Sequence, residues 1–145
     1  MSTPDKLNTE HWTKAYDFDP NATTATEIAW IDMRDYSNFR CMFFRTIGTS
    51  AVTFKLMANT ASDGSGTDVD IVTHAVASEP DAVGDQIWLE TDAEQIAQKA
   101  AAAGVSGVRY LTAVVSVATA TDEGVVLYDA LSERQYDGLT ADIIA

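Results

Sequence analysis

Gly104-Val105-Ser106-Gly107-Val108-Arg109-Tyr110-Leu111-Thr112-Ala113-Val114-Val115-Ser116-Val117-Ala118-Thr119 is the stretch whose reading decides the fold. Two glycines open it, and then Leu111, Ala113, Val115 and Val117 fall on one side of an extended chain. Arg109 and Thr119 continue that side at its ends. The other side, from Val108 to Ala118, mixes apolar and hydroxyl residues. A period of two carried by β-branched residues is the pattern of a strand packed on a core. Shorter strands before it can pair beside it, and the segment after it reads as a returning partner.

Downstream, Thr121-Asp122-Glu123-Gly124 predicts a hairpin turn into a strand over 125–131. Upstream, Ala93 to Ala103 is built of strong helix formers. Thr91 and Glu94 stand at capping-box spacing before it, and Gly104 follows as the stop. Ile96 is the one large apolar residue in that helix, so it covers an edge and builds little core. Further back, alternation predicts strands over 85–90, 68–77, 52–58, 39–47 and 27–33. Gly48-Thr49-Ser50 reads as the tight link of a hairpin between the strands at 39–47 and 52–58. The strand at 39–47 is apolar on both faces, with Phe39, Cys41 and Phe43 against Met42 and Phe44, which suits a strand covered on both sides. About seven short strands, one helix and turn-rich links predict a mainly β chain, an antiparallel β-sandwich or jelly-roll-like domain.

The body of that domain reads as residues 27–132, with an N-terminal arm over 1–26 and a C-terminal arm over 133–145. Both arms lack a strong period yet carry large apolar side chains: Trp12, Tyr16 and Phe18 in the first, Tyr136, Leu139, Ile143 and Ile144 in the second. These seven are the candidate partner-binding residues, because such side chains gain nothing in water and bury area on docking.

A chain of 145 residues is one domain and needs no disulfide or metal to fold, since it can bury about 70% of its unfolded surface. Cys41, the single cysteine, reads as a buried thiol. No basic-then-apolar leader opens the chain, which predicts no secretory signal, and no apolar run is long enough to span a bilayer. Twenty-two carboxylates against nine lysines and arginines leave a net charge of −13, which repels phosphate backbones and anionic lipid alike. The expected partners therefore include neither nucleic acid nor membrane.

Catalytic constellations do not assemble from this sequence. Nucleophilic hydrolysis needs a base beside its nucleophile, and the two histidines are His11 and His74, the latter read as a surface or interface side chain. Gly48-Thr49-Ser50-Ala51-Val52 lacks the second glycine of a nucleophile elbow. Asp63-Gly64-Ser65-Gly66-Thr67-Asp68-Val69-Asp70 offers oxygens to a hard cation but fails the EF-hand pattern, and a plain hairpin loop is the stronger reading. The expectation is a non-enzyme with no cofactor and no metal. Trp12, Trp30 and Trp88 leave open a carbohydrate-binding β-sandwich as the alternative.

Three segments carry a resemblance: Trp30-Ile31-Asp32-Met33-Arg34-Asp35-Tyr36, Val108-Arg109-Tyr110-Leu111-Thr112-Ala113-Val114-Val115, and Gly124-Val125-Val126-Leu127-Tyr128. Together they resemble small virion structural proteins of tailed bacteriophages, head decoration or cement proteins most of all. The resemblance implies a β-rich protein made in the host cytoplasm and placed on the capsid surface. Its implied partners are the major capsid protein lattice and its own copies, as a dimer or trimer, and its implied work is to clamp neighbouring capsomers. A tail or neck protein would look similar.

Overall fold

The computed structural model describes residues 10–76 and 81–132; Tyr136, Leu139, Ile143 and Ile144 lie outside them. In chain order the elements are β1 (Glu10–Phe18), β2 (Thr26–Glu27), β3 (Ile31–Asp32), β4 (Asn38–Ile47), β5 (Val52–Asn59), β6 (Asp68–Val76), β7 (Gln86–Asp92), α1 (Ala93–Ala102), β8 (Tyr110–Val117) and β9 (Glu123–Ser132). One sheet runs β1-β9-β4-β7, the other β2-β8-β5-β6, with β3 also on β8. Every pairing is antiparallel. With β2 and β3 counted as one interrupted strand, the first strand pairs with the last, the second with the one before it, and so inward. That is a hairpin wrapped into two sheets, the jelly roll.

The core lies between the sheets. Leu111, Ala113, Val115 and Val117 all point into it and are buried, as their alternation requires. Phe54 and Leu56 from β5 join them, with Phe43, Val126 and Tyr128 from the facing sheet. Phe43 and Phe54 rings meet across the layer at 6.0 Å. Cys41 lies in the same layer, and burial pushes its thiol up, away from the reactive thiolate.

Two expected hairpins turn out to be crossings. β4 and β5 belong to different sheets, and so do β8 and β9. Both crossings sit at one corner, where fully buried Arg45 fastens them. Its guanidinium donates to Asp122 Oδ2 at 2.8 Å and to the carbonyl of Ser50. Asp122 also accepts from Ser50 N at 3.0 Å and from the Ser50 hydroxyl. Gly48 makes the corner possible: its φ is +96°, and a Cβ there would fall 2.0 Å from Asp122 Oδ1. Polar turn residues announce a reversal without saying which sheet receives the chain.

The expected strand over 27–33 is broken into β2 and β3, and Tyr128 fills the break. Its hydroxyl crosses from the other sheet, accepts from Ala113 N at 2.8 Å and donates to Ala29 O at 2.8 Å. Below the break Arg109 grips Asp32 with two nitrogens, the Nε at 2.8 Å. α1 forms as its composition dictates, but Asp92 caps it, accepting from Gln95 N at 2.7 Å. Thr91 is instead the last inward residue of β7, paired with Phe39. Gly104 (φ +71°) and Val105 return their N–H groups to Ala101 and Ala100, a Schellman stop.

The arm reading of residues 10–18 is corrected. β1 pairs with β9 along all nine residues and is an integral strand of the first sheet. Spacings of four and two are both even, so Trp12, Tyr16 and Phe18 share one strand face and turn inward.

Candidate interaction surface

The four-stranded sheet has an inner face in the core and an outer face that the alternation makes unusually apolar. Register fixes its rows. Ala15, Leu127, Met42 and Trp88 stand side by side across β1, β9, β4 and β7. The next row is Asp17, Val125, Phe44 and Gln86, and on the other flank lie Thr13, Asp129, Arg40 and Glu90. Leu127, Met42, Val125 and Phe44 are half-buried by their neighbours, while Trp88 keeps 44% of its surface exposed and Leu131 36%. One apolar row across the sheet and the middle of the next form a patch, which is a different matter from scattered surface leucines.

The polar groups around the patch are ordered. Arg40 Nε lies 2.6 Å from Asp129 Oδ2, and its guanidinium sits 5.1 Å from the Trp88 ring centroid. Trp88 Nε1 donates to Gln86 Oε1 at 3.1 Å. The indole thus lies pinned, its N–H satisfied and the Arg40 guanidinium over its ring, with much of its surface still open. Beside it an open groove of about 620 Å³ runs toward the first turn of α1, past Asn38, Arg40, Glu90, Asp92 and Gln95.

The outer face of the other sheet is different. There Lys55 pairs with Asp70 at 2.9 Å, its neighbour Val114 and the next apolar residue, Met57, are buried, and among the described residues no large apolar row lies open. The patch is therefore a property of one face and not of the composition.

The residues expected to bind partners fall as follows. Phe18 is in the core, its ring edge-on to Phe43 at 5.9 Å. Tyr16 is half-buried and edge-on to Tyr128 at 5.0 Å; Trp12 is half-buried against Tyr36 at 6.2 Å. All three use their rings within the chain. The outer patch was legible only as the two-sided apolarity of β4 and as the exposed parity of Trp88.

The loop from Asp63 to Asp70 spends its oxygens on itself. Buried Asn59 donates to Gly64 O at 3.2 Å and to Asp68 Oδ1 at 2.5 Å, and accepts from Ala61 N and Gly66 N. Asp63 accepts from the Ser65 hydroxyl and Ser65 N, which hold its carboxyl below the ordinary value. Among the described residues no cluster of three or more His, Cys, Asp or Glu side chains could hold a metal ion. His74, read from the sequence as a surface or interface side chain, is half-buried and turned inward. A bulge at Ile71 shifts the parity of β6, so His74 pairs with inward Phe54, and its Nε2 is buried without a hydrogen-bond partner.

No protein-family model matches the chain, and no curated protein matches it by sequence. Its fold does have solved counterparts. A chain from the disulfide-linked pili of Bacillus endospore appendages superposes with a TM-score of 0.54 at 17% identity, covering 86% of this chain and 88% of that one. A chain from the acid-stable capsid of Helicobacter pylori bacteriophage KHP30 gives 0.51 at 7% identity, covering 88% and 91%. The prophage-derived protein YomS gives 0.47 at 14%, covering 86% and 96%. At these identities the likeness is one of fold.

Proposed function

We propose that this chain is a structural protein of a bacteriophage virion, a head decoration protein that sits on the outside of the capsid and stabilises contacts between capsomers. The observation that carries the reading is the apolar outer face of the four-stranded sheet on a chain of net charge −13. An acidic exterior keeps such a chain soluble, and one apolar face gives it a place to attach. Attachment would stabilise by about 25 cal/mol for each Å² of apolar patch area removed from water, before ordering costs. Repetition over a lattice turns many such contacts into firm binding. Two counterparts with a TM-score above 0.5 come from a capsid and a pilus, both assemblies of repeated chains, and each is matched over nearly its whole length. The chain works by contact, without catalysis or cofactor.

The test is co-sedimentation with capsids that lack the protein. The reading expects saturable decoration that Trp88→Asp weakens while its melting temperature stays put. Absence of sedimentation with capsids, together with retention on a glycan array, would favour the carbohydrate-binding alternative.

A further inference from the structure

We infer that the capsid site taken by this face is an apolar surface bordered by lysine or arginine side chains, held by charge at its rim as well as by apolar contact at its centre. The inference rests on the attachment reading above and names the chemistry of its partner. The apolar centre also runs lengthwise, as Met42, Phe44 and Ile47 along β4. A bulge between Arg45 and Ile47 lets Arg45 turn into the corner and leaves Ile47 opposite Glu123, on the same face as Val125. Ile47 keeps 48% of its surface exposed. Carboxylates border this strip on three sides. Asp17 on β1 and Glu90 on β7 stand at opposite edges of the sheet, and Glu123 stands at one end, where β9 begins.

These three carboxylates differ from the others in having no partner. In the strands of the other sheet every carboxylate is engaged: Asp70 by Lys55, Asp32 by Arg109, Glu27 by the Trp30 indole and Asp68 by Asn59. In the four-stranded sheet Asp129 takes Arg40, and Asp92 caps α1. Among the described residues Asp17, Glu90 and Glu123 make no side-chain hydrogen bond or ion pair. Nor does a cation of the face stand ready for them. Arg40 is already bound, and Lys14 has the parity of the inward side of β1, over the Tyr16 ring at 5.1 Å. An anionic partner would set like charges against this rim. An uncharged partner would strip water from the carboxylates with nothing to replace it. A basic border around an apolar centre completes both parts of the face, and the net charge of −13 would draw it in from a distance.

The experiment is co-sedimentation of the full chain with capsids that lack it, from about 0.1 M to about 1 M sodium chloride, over which the screening length falls from about 10 Å to about 3 Å. Affinity is expected to fall by roughly tenfold or more across that range. Asp17→Lys combined with Glu90→Lys should bind roughly tenfold or more weakly at the lower salt and lose most of the salt dependence. Its melting should be unchanged, because both side chains are exposed. Asp63→Lys combined with Asp70→Lys makes the same change in net charge on the side of the other sheet and should bind like the wild type. Wild-type affinity that holds or rises with salt overturns the inference while leaving decoration intact. So does a rim variant that binds no worse than the far-side variant. No sedimentation at any salt sinks the decoration reading, and this inference with it.

Discussion

The hydroxyl of Tyr128 lies 2.8 Å from the backbone nitrogen of Ala113, so a side chain of one sheet completes the edge ladder of the other. The strand that should pair there is interrupted between β2 and β3, and the same hydroxyl also serves Ala29. Burial pushes the phenol well above its ordinary value, which keeps it protonated and able to donate. Tyr128→Phe keeps the ring stacking on Tyr16 and Phe39 but strands a buried N–H. The expected loss is about 1–3 kcal/mol in urea unfolding, with little change in m-value.

Removal of Arg45 should cost more. Its side chain is fully buried and that of Asp122 is 5% exposed, so Arg45→Met leaves a carboxylate buried beside both sheet crossings. A loss of about 3–5 kcal/mol is expected in chemical denaturation. Arg45→Met combined with Asp122→Leu should recover part of it, because no charge is then left unpaired.

Acid should weaken the fold through two carboxyls. The hydrogen bond from Arg109 holds Asp32 down to about 2, against an ordinary 3.8. For Asp122 burial acts to raise the value, but hydrogen bonds from Ser50 and Arg45 outweigh it and leave it lowered. A depressed folded-state value means stability that is present above the ordinary carboxyl range and lost as pH falls through it toward about 2. Thermal melts between neutral pH and that limit should show the decline, and Asp32→Asn should flatten it.

The inward face of β8 was legible because alternation with β-branched residues survives any tertiary context. β1 was not, because Lys14 interrupts the apolar run and hides the shared parity of Trp12, Tyr16 and Phe18. The helix was legible from composition, and its cap was misplaced by one residue because Thr91 and Asp92 are both good caps. Only the ladder from Thr91 to Phe39 decides between them. The sheet crossings at Gly48 and Asp122 could not be told from hairpins, since crossing and hairpin turns share residue types and lengths. The outer patch was present in the sequence as Met42 and Phe44 opposite Cys41 and Phe43, but its extent depends on long-range register.

Phe18→Ala should destabilise the body by about 3–5 kcal/mol, since the side chain is 2% exposed in the core. Deletion of residues 1–25 removes β1 and bares the length of β9, so the truncated chain should lose its cooperative melt. A soluble truncation with an unchanged melt would show that the sheet closes without its first strand.

Cryo-electron microscopy of phage particles that contain this protein tests the central claim most directly. The account predicts jelly-roll density on the outer surface of the head, seated over contacts between capsomers, with two sheets in the order found here. Density confined to the tail or neck, or intact heads with no such density, would contradict it.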